Sequence, residues 1–175
     1  MNIEREKFEK LIQRVEELKK SGSFDLSLEE DLSIAIMNLV SLEEHFFFTR
    51  SKTKNDSYLD MLEETRGVRK ELLAKMIPAH EGETWCISKH LLAASMRIME
   101  VATKLQSDGK KDEAKDMFEK AYRIYAMFWG IRLRLIDLSG VKKISDAAIS
   151  ASSENPKKPW TVEDIVEKLV NCCDE

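Results

Sequence analysis

Apolar residues recur along this chain every three or four positions, in segments separated by short polar or glycine-bearing stretches. That period is the signature of amphipathic helices. Phe8, Leu11, Ile12, Val15 and Leu18 predict a first helix that ends at Gly22. Ser27 followed by Glu30 is a capping-box pattern and opens a second helix running to about Arg50. The polar run 51–56 reads as a loop. Asp56 or Ser57 caps a third helix, which ends before Pro78. The stretch 78–83, with Gly82, is a second loop, and Thr84 caps a fourth helix ending near Ser107. Asp108-Gly109 is a tight connection, Gly109 being suited to the left-handed conformation that closes a helix. A fifth helix is predicted from about Lys110 to Leu138, stopping at Gly140.

Short connections between long helices place neighbours antiparallel. The expected fold is therefore all-α, an up-down four-helix-type bundle built from helices two to five. An additional N-terminal helix packs alongside. Residues 144–160 are rich in Ser, Ala, Lys and Pro and have linker composition. After them Val162, Ile165, Val166, Leu169 and Val170 form one narrow apolar stripe. The expected organisation is a helical bundle domain over 1–143, a linker over 144–160 and a short amphipathic C-terminal helix over 161–175. That last helix is expected to dock on its own bundle or on a partner.

Composition narrows the picture further. The 175 residues are 43% hydrophobic and 34% charged, with only six Gly and three Pro. This is enough apolar material for a core without disulfide staples, and too few turn residues for an all-β fold. The formal net charge is −4 with both signs interspersed, which argues against bulk nucleic-acid affinity. Cys172 and Cys173 are adjacent, so a bridge between them is strained, and the three cysteines form no secreted framework. The N-terminus carries acids where a signal peptide is apolar. The longest apolar stretch, 124–131, is far short of the roughly 20 residues a membrane helix needs. A cytoplasmic protein with no membrane association is expected.

Several polar residues fall on apolar faces. Glu43 lies near the centre of the broad face made by Leu32, Ile36, Leu39, Val40 and Phe47, while Met37 and Phe48 lie off it. Arg69 lies within the apolar face of the third helix and Arg66 at its edge. In an antiparallel hairpin Glu43 comes level with Arg66, and less directly with Arg69. Arg132 sits in the apolar face of the fifth helix, at the end of the bundle opposite Glu43 and nearer Cys86 and His90. Buried charges of this kind either pair to specify helix register or line a polar pocket for a small anionic ligand. On the fourth helix Ser88, Ser95 and Ala102 are spaced by seven, which lets a neighbour approach closely. A largely basic stripe beside them, containing Cys86, Lys89, His90, Arg97 and Lys104, reads as a solvated face.

Cys86 and His90 stand four apart on one helix and can face a single metal ion, with His80 in the preceding loop as a third candidate ligand. A di-iron carboxylate site fails on its own specification, because no Glu stands three residues before any of the three His. Neither a P-loop nor a nucleophile elbow occurs. No cofactor is implied. With no catalytic set, the expected function is that of a non-enzymatic interaction or assembly protein, with a protein partner or a second copy. It is supported by the aromatics Phe46-Phe47-Phe48, Tyr122, Tyr125, Phe128 and Trp129. The alternatives are a small-molecule-binding or enzymatic bundle with a pocket around Glu43, Arg66, Arg69 and Arg132, and metal binding. Gly67 and Gly130 fall inside predicted helices, where glycine costs about 1 kcal/mol relative to Ala. Close helix contact or a ligand against the backbone would account for them.

Overall fold

A computed structural model describes residues 5–22, 25–77 and 84–136. The described residues form five α-helices and no strand: α1 (Arg5–Lys20), α2 (Leu26–Thr53), α3 (Ser57–Met76), α4 (Thr84–Ser107) and α5 (Lys111–Arg132). The all-α class read from the hydrophobic period holds. The predicted linker 144–160 and terminal helix 161–175 lie outside the described residues.

The helices pack as two hairpins, α2 with α3 and α4 with α5, joined where α2 lies against α4. The α4–α5 face is the most extensive. Its close approach follows from small residues on both sides, with Ser88, Ser95 and Ala102 of α4 buried and Ala114 and Ala121 of α5 buried with them. The main core is built from Ile36, Met37, Leu73, Met76, Ile77, Leu92 and Phe128. Met37, outside the apolar face drawn from sequence, belongs to this core. Because α2 packs on α3 with one flank and on α4 with the other, its buried arc is wider than one stripe. Helix α1 shares no comparable face with the other four, and its Phe8 and Ile12 remain half-exposed.

Local chemistry sets the helix ends. Asp25, not Ser27, is the N-cap of α2, its carboxylate accepting from the backbone N–H groups of Ser27 and Leu28. An acid placed there satisfies two otherwise orphaned donors and faces the positive end of the helix dipole. At the α2–α3 turn, Arg50 pairs with Asp56, while Asn55 Oδ1 accepts from both the backbone and hydroxyl of Ser57.

Two helices end in the same way. At α4, Gly109 adopts φ 76°, with its N–H bonded to Gln106 O and that of Lys110 to Leu105 O. At α5, Arg134 adopts φ 57°, with its N–H bonded to Ile131 O and that of Leu135 to Gly130 O. Both are Schellman closures. The second stops α5 at Arg132, six residues short of the predicted Leu138. It also accounts for Gly130. The chain folds back so that Ile136 lies over that glycine, where an added Cβ would meet Ile136 Cδ1 at 2.8 Å. Gly67 has no such reason, since an added Cβ there meets nothing within 4 Å.

Candidate functional site

The buried charges are committed to one another. Arg69 projects from α3 into the core and is 1% exposed, and its guanidinium forks onto Glu43 of α2, which is 15% exposed. Nε donates to one carboxylate oxygen at 2.8 Å and Nη2 to the other at 3.2 Å. Of the two arginines that the sequence sets level with Glu43, Arg69 closes on it in a bidentate fork, and Arg66 stands half-buried one turn earlier on α3. The fork geometry satisfies both carboxylate oxygens, which is what makes burial of the pair tolerable.

Arg132 does not join them. It forks onto Glu29 in the first turn of α2, at 2.8 and 2.9 Å. Glu29 and Glu43 are separated by about 21 Å along the axis of α2. Of the four residues proposed to line one polar pocket, Glu43 and Arg69 thus form one ion pair partway down the bundle, and Arg132 belongs to another at its end. Glu29 was not legible as a site residue, because an acid in a first helical turn has an ordinary explanation in the helix dipole.

The candidate metal ligands divide by burial. Cys86 is buried and His90 exposed on the same helix, and His80 lies outside the described residues. Among the described residues no three His, Cys, Asp or Glu side chains group in a way that could hold a metal ion. The stripe read as solvated is only partly so. Cys86 and Lys89 are buried, and Arg97 bonds both Glu100 of its own helix and Glu44 of α2. No helix of the described residues is long and apolar enough to cross a membrane.

Among the described residues, three clefts bear on the candidate site. One of about 660 Å³ runs between α2 and α4 and holds Glu44, His45, Lys52, Arg97, Glu100 and Lys104. Its charges are of both signs, and its central arginine is already bonded to two carboxylates. A smaller cleft of about 260 Å³ lies where α3 ends and α4 begins, with Lys75, Thr84, Arg132 and Arg134 on its walls. Arg132 there is held by Glu29.

The third cleft is of a different kind. About 380 Å³ in volume, it lies between the start of α2 and the last turns of α5, and is lined by Leu26, Tyr122, Tyr125, Ala126, Trp129 and Leu135 among others. Spacing along α5 explains its shape. Phe118, Tyr122, Tyr125 and Trp129 follow at intervals of four, three and four, so they share one flank of the helix. Phe128 points into the core, fully buried. Tyr125 stacks on it with the rings 11° from parallel, and Trp129 packs edge-on against both. The hydroxyl of Tyr125 is tied to Ser33 Oγ of α2 at 2.6 Å. Ser33 in turn donates to Glu30 O. The inner end of the stripe is therefore rigid, its rotamers fixed by packing and by a hydrogen bond. The outer end is open: Phe118 is 41% exposed and Tyr122 74%.

Such a surface offers aromatic area held in a fixed shape. Among the described residues that line it there is no Ser, Thr, Cys or His, and the carboxylate among them, that of Glu30, is exposed. Tyr122, Tyr125, Phe128 and Trp129 stand out in the sequence as a cluster of aromatics. Which rings are covered and which are bare depends on the neighbour at that flank, and the sequence does not show it. Comparison with protein-family models, with curated proteins and with solved structures finds no match.

Proposed function

We propose that this chain is a non-enzymatic interaction protein, and that the α5 flank around Tyr122 docks an amphipathic helical segment of a protein. The observation that carries this reading is the Phe118–Trp129 stripe. A tyrosine three-quarters exposed, flanked by a preformed cleft with a tryptophan in its wall, is costly surface in water. Tyr and Trp are the side chains enriched at interface centres, because each combines large apolar area with few rotatable bonds and a polar tip. Helix-in-groove recognition uses anchors at spacings of three and four, the spacing displayed here. The buried charges support the same reading. Their forks are closed on their own partners, so they hold the helices in register and leave the surface to do the binding.

A photo-crosslinking phenylalanine analogue placed at position 122 tests the proposal in cells that express the chain. One discrete adduct with a polypeptide is expected, and none from the same group at Asp60 on α3, which is exposed but carries no aromatic neighbour stripe. Equal, diffuse labelling from both positions sinks the reading.

A further inference from the structure

The geometry points to a tethered occupant for this surface: the chain's own segment 161–175 docks on the α5 stripe and competes there with a foreign helix. The inference rests on the docking role just proposed and names what occupies the site at rest.

Three observations meet. The first is position. The described chain ends at Ile136, one residue beyond Leu135, which itself lines the aromatic cleft. Residues 137–160 then separate α5 from the segment. A stretch of that length reaches up to about 80 Å when extended, against about 33 Å for the whole of α5. The tether therefore reaches any part of the flank, and it makes the encounter intramolecular, with an effective concentration that a free partner has to exceed.

The second is shape. On the segment, Val162, Ile165, Val166, Leu169, Val170 and Cys173 follow a helical stripe. From Val162 to Cys173 is eleven residues, and so is Phe118 to Trp129, about 16 Å on each side. A single narrow apolar stripe is matched to one aromatic flank and is too narrow for a central place in a core.

The third is charge. The segment carries Glu163, Asp164, Glu167, Asp174 and Glu175 against the single Lys168. Continuing the α5 flank toward its N-terminus brings up Lys115 and Lys111, both exposed. Arg134 stands just past the other end of the helix, on the wall of the α3–α4 cleft, and Glu30 lines the aromatic cleft between. A segment running antiparallel to α5 places Asp174 and Glu175 beside those lysines. It also places Glu163 and Asp164 toward the end where Arg134 lies. The parallel orientation inverts the match less favourably, sending the linker back along the full length of the helix.

Amide hydrogen exchange on the full chain tests this at low micromolar concentration. An isolated helix of fifteen residues is marginal in water, so an undocked segment exchanges at the coil rate. Docking predicts exchange in residues 163–172 at least tenfold slower than coil. Tyr122→Ser, at a side chain whose loss leaves the core untouched, is expected to return that region to the coil rate while α4 keeps its protection. Leu169→Asp, made in the segment itself, is expected to do the same, and to increase the intermolecular adduct formed from position 122 several-fold. Coil-rate exchange in the unaltered chain overturns the inference. So does protection that survives both substitutions, or protection that grows with protein concentration, which assigns the occupant to a second copy. The proposed function fails separately: it falls if the position 122 adduct is absent even from the Leu169→Asp chain, where the stripe is bare.

Discussion

Two ion pairs in this protein share their chemistry and differ in their surroundings. Arg69–Glu43 joins α3 to α2 inside the bundle, with the arginine 1% exposed. Arg132–Glu29 joins α5 to α2 at its end, with the arginine 22% exposed and a cleft beside it. Both are bidentate forks, with bonds of 2.8 and 3.2 Å in the first and 2.8 and 2.9 Å in the second. What ranks them is less these distances than the cost of leaving one partner behind. A guanidinium deprived of its carboxylate in the core has no water to turn to, whereas one at the cleft does. Neither pair is expected to add much net stability over well-packed apolar residues. Their effect is on register: a slip of one turn between α2 and α3 strands a charge in the core.

The largest expected effect separates these roles. Glu43→Ala should destabilise the fold by about 3–5 kcal/mol in denaturant unfolding, because it takes the carboxylate away from a guanidinium that is 1% exposed. The double variant Glu43→Leu with Arg69→Met should recover most of that loss. If the single and double variants are equally destabilised, the pair itself is a net stabiliser and the register argument is wrong. Next comes Glu29→Ala, for which about 1–2 kcal/mol is expected, since water at the cleft rehydrates Arg132. A loss as large as that of Glu43→Ala would abolish the distinction between the two ends. The smallest effect belongs to Arg97→Ala. Arg97 is about half-exposed and bridges Glu44 and Glu100 on the α2–α4 surface, so about 0.5 kcal/mol is expected, falling further in high salt.

The same contrast between covered and open surroundings decided what could be read in advance. The helices were legible because their apolar period is strong and most of their ends carry ordinary punctuation. Gly109 announces the end of α4, since glycine is the residue that takes φ 76° without cost. The end of α5 was not legible. Its Schellman closure uses Arg134 in the left-handed region, and nothing about an arginine signals that conformation. The glycine that makes the closure work is Gly130, four residues upstream, where Ile136 folds over it. The sequence marked Gly130 as unusual inside a helix, and only the fold-back supplied the reason. Gly67 was marked in the same way and has open space around it.

The candidate site followed a similar division. The seven-residue spacing of Ser88, Ser95 and Ala102 foretold a close helix approach, and all three are buried. The aromatic residues of α5 were visible as a cluster, but Phe128 is covered and Tyr122 bare. Helical spacing gives the angle between two side chains on one helix and is silent on which angle faces a neighbour.

By itself the sequence determined the all-α class, the number and approximate limits of the described helices, and the presence of charges that had to be reconciled with apolar faces. These are local properties, set by periodicity, capping and glycine content within a few residues. Tertiary structure decided the rest: that Arg69 forks onto Glu43, that Arg132 takes a glutamate 103 positions away, and that Phe118 and Tyr122 stand exposed on one flank of α5. Each depends on the rotation and axial offset of one helix against another. Those quantities are fixed by the summed packing of many side chains, and no segment of the chain encodes them alone.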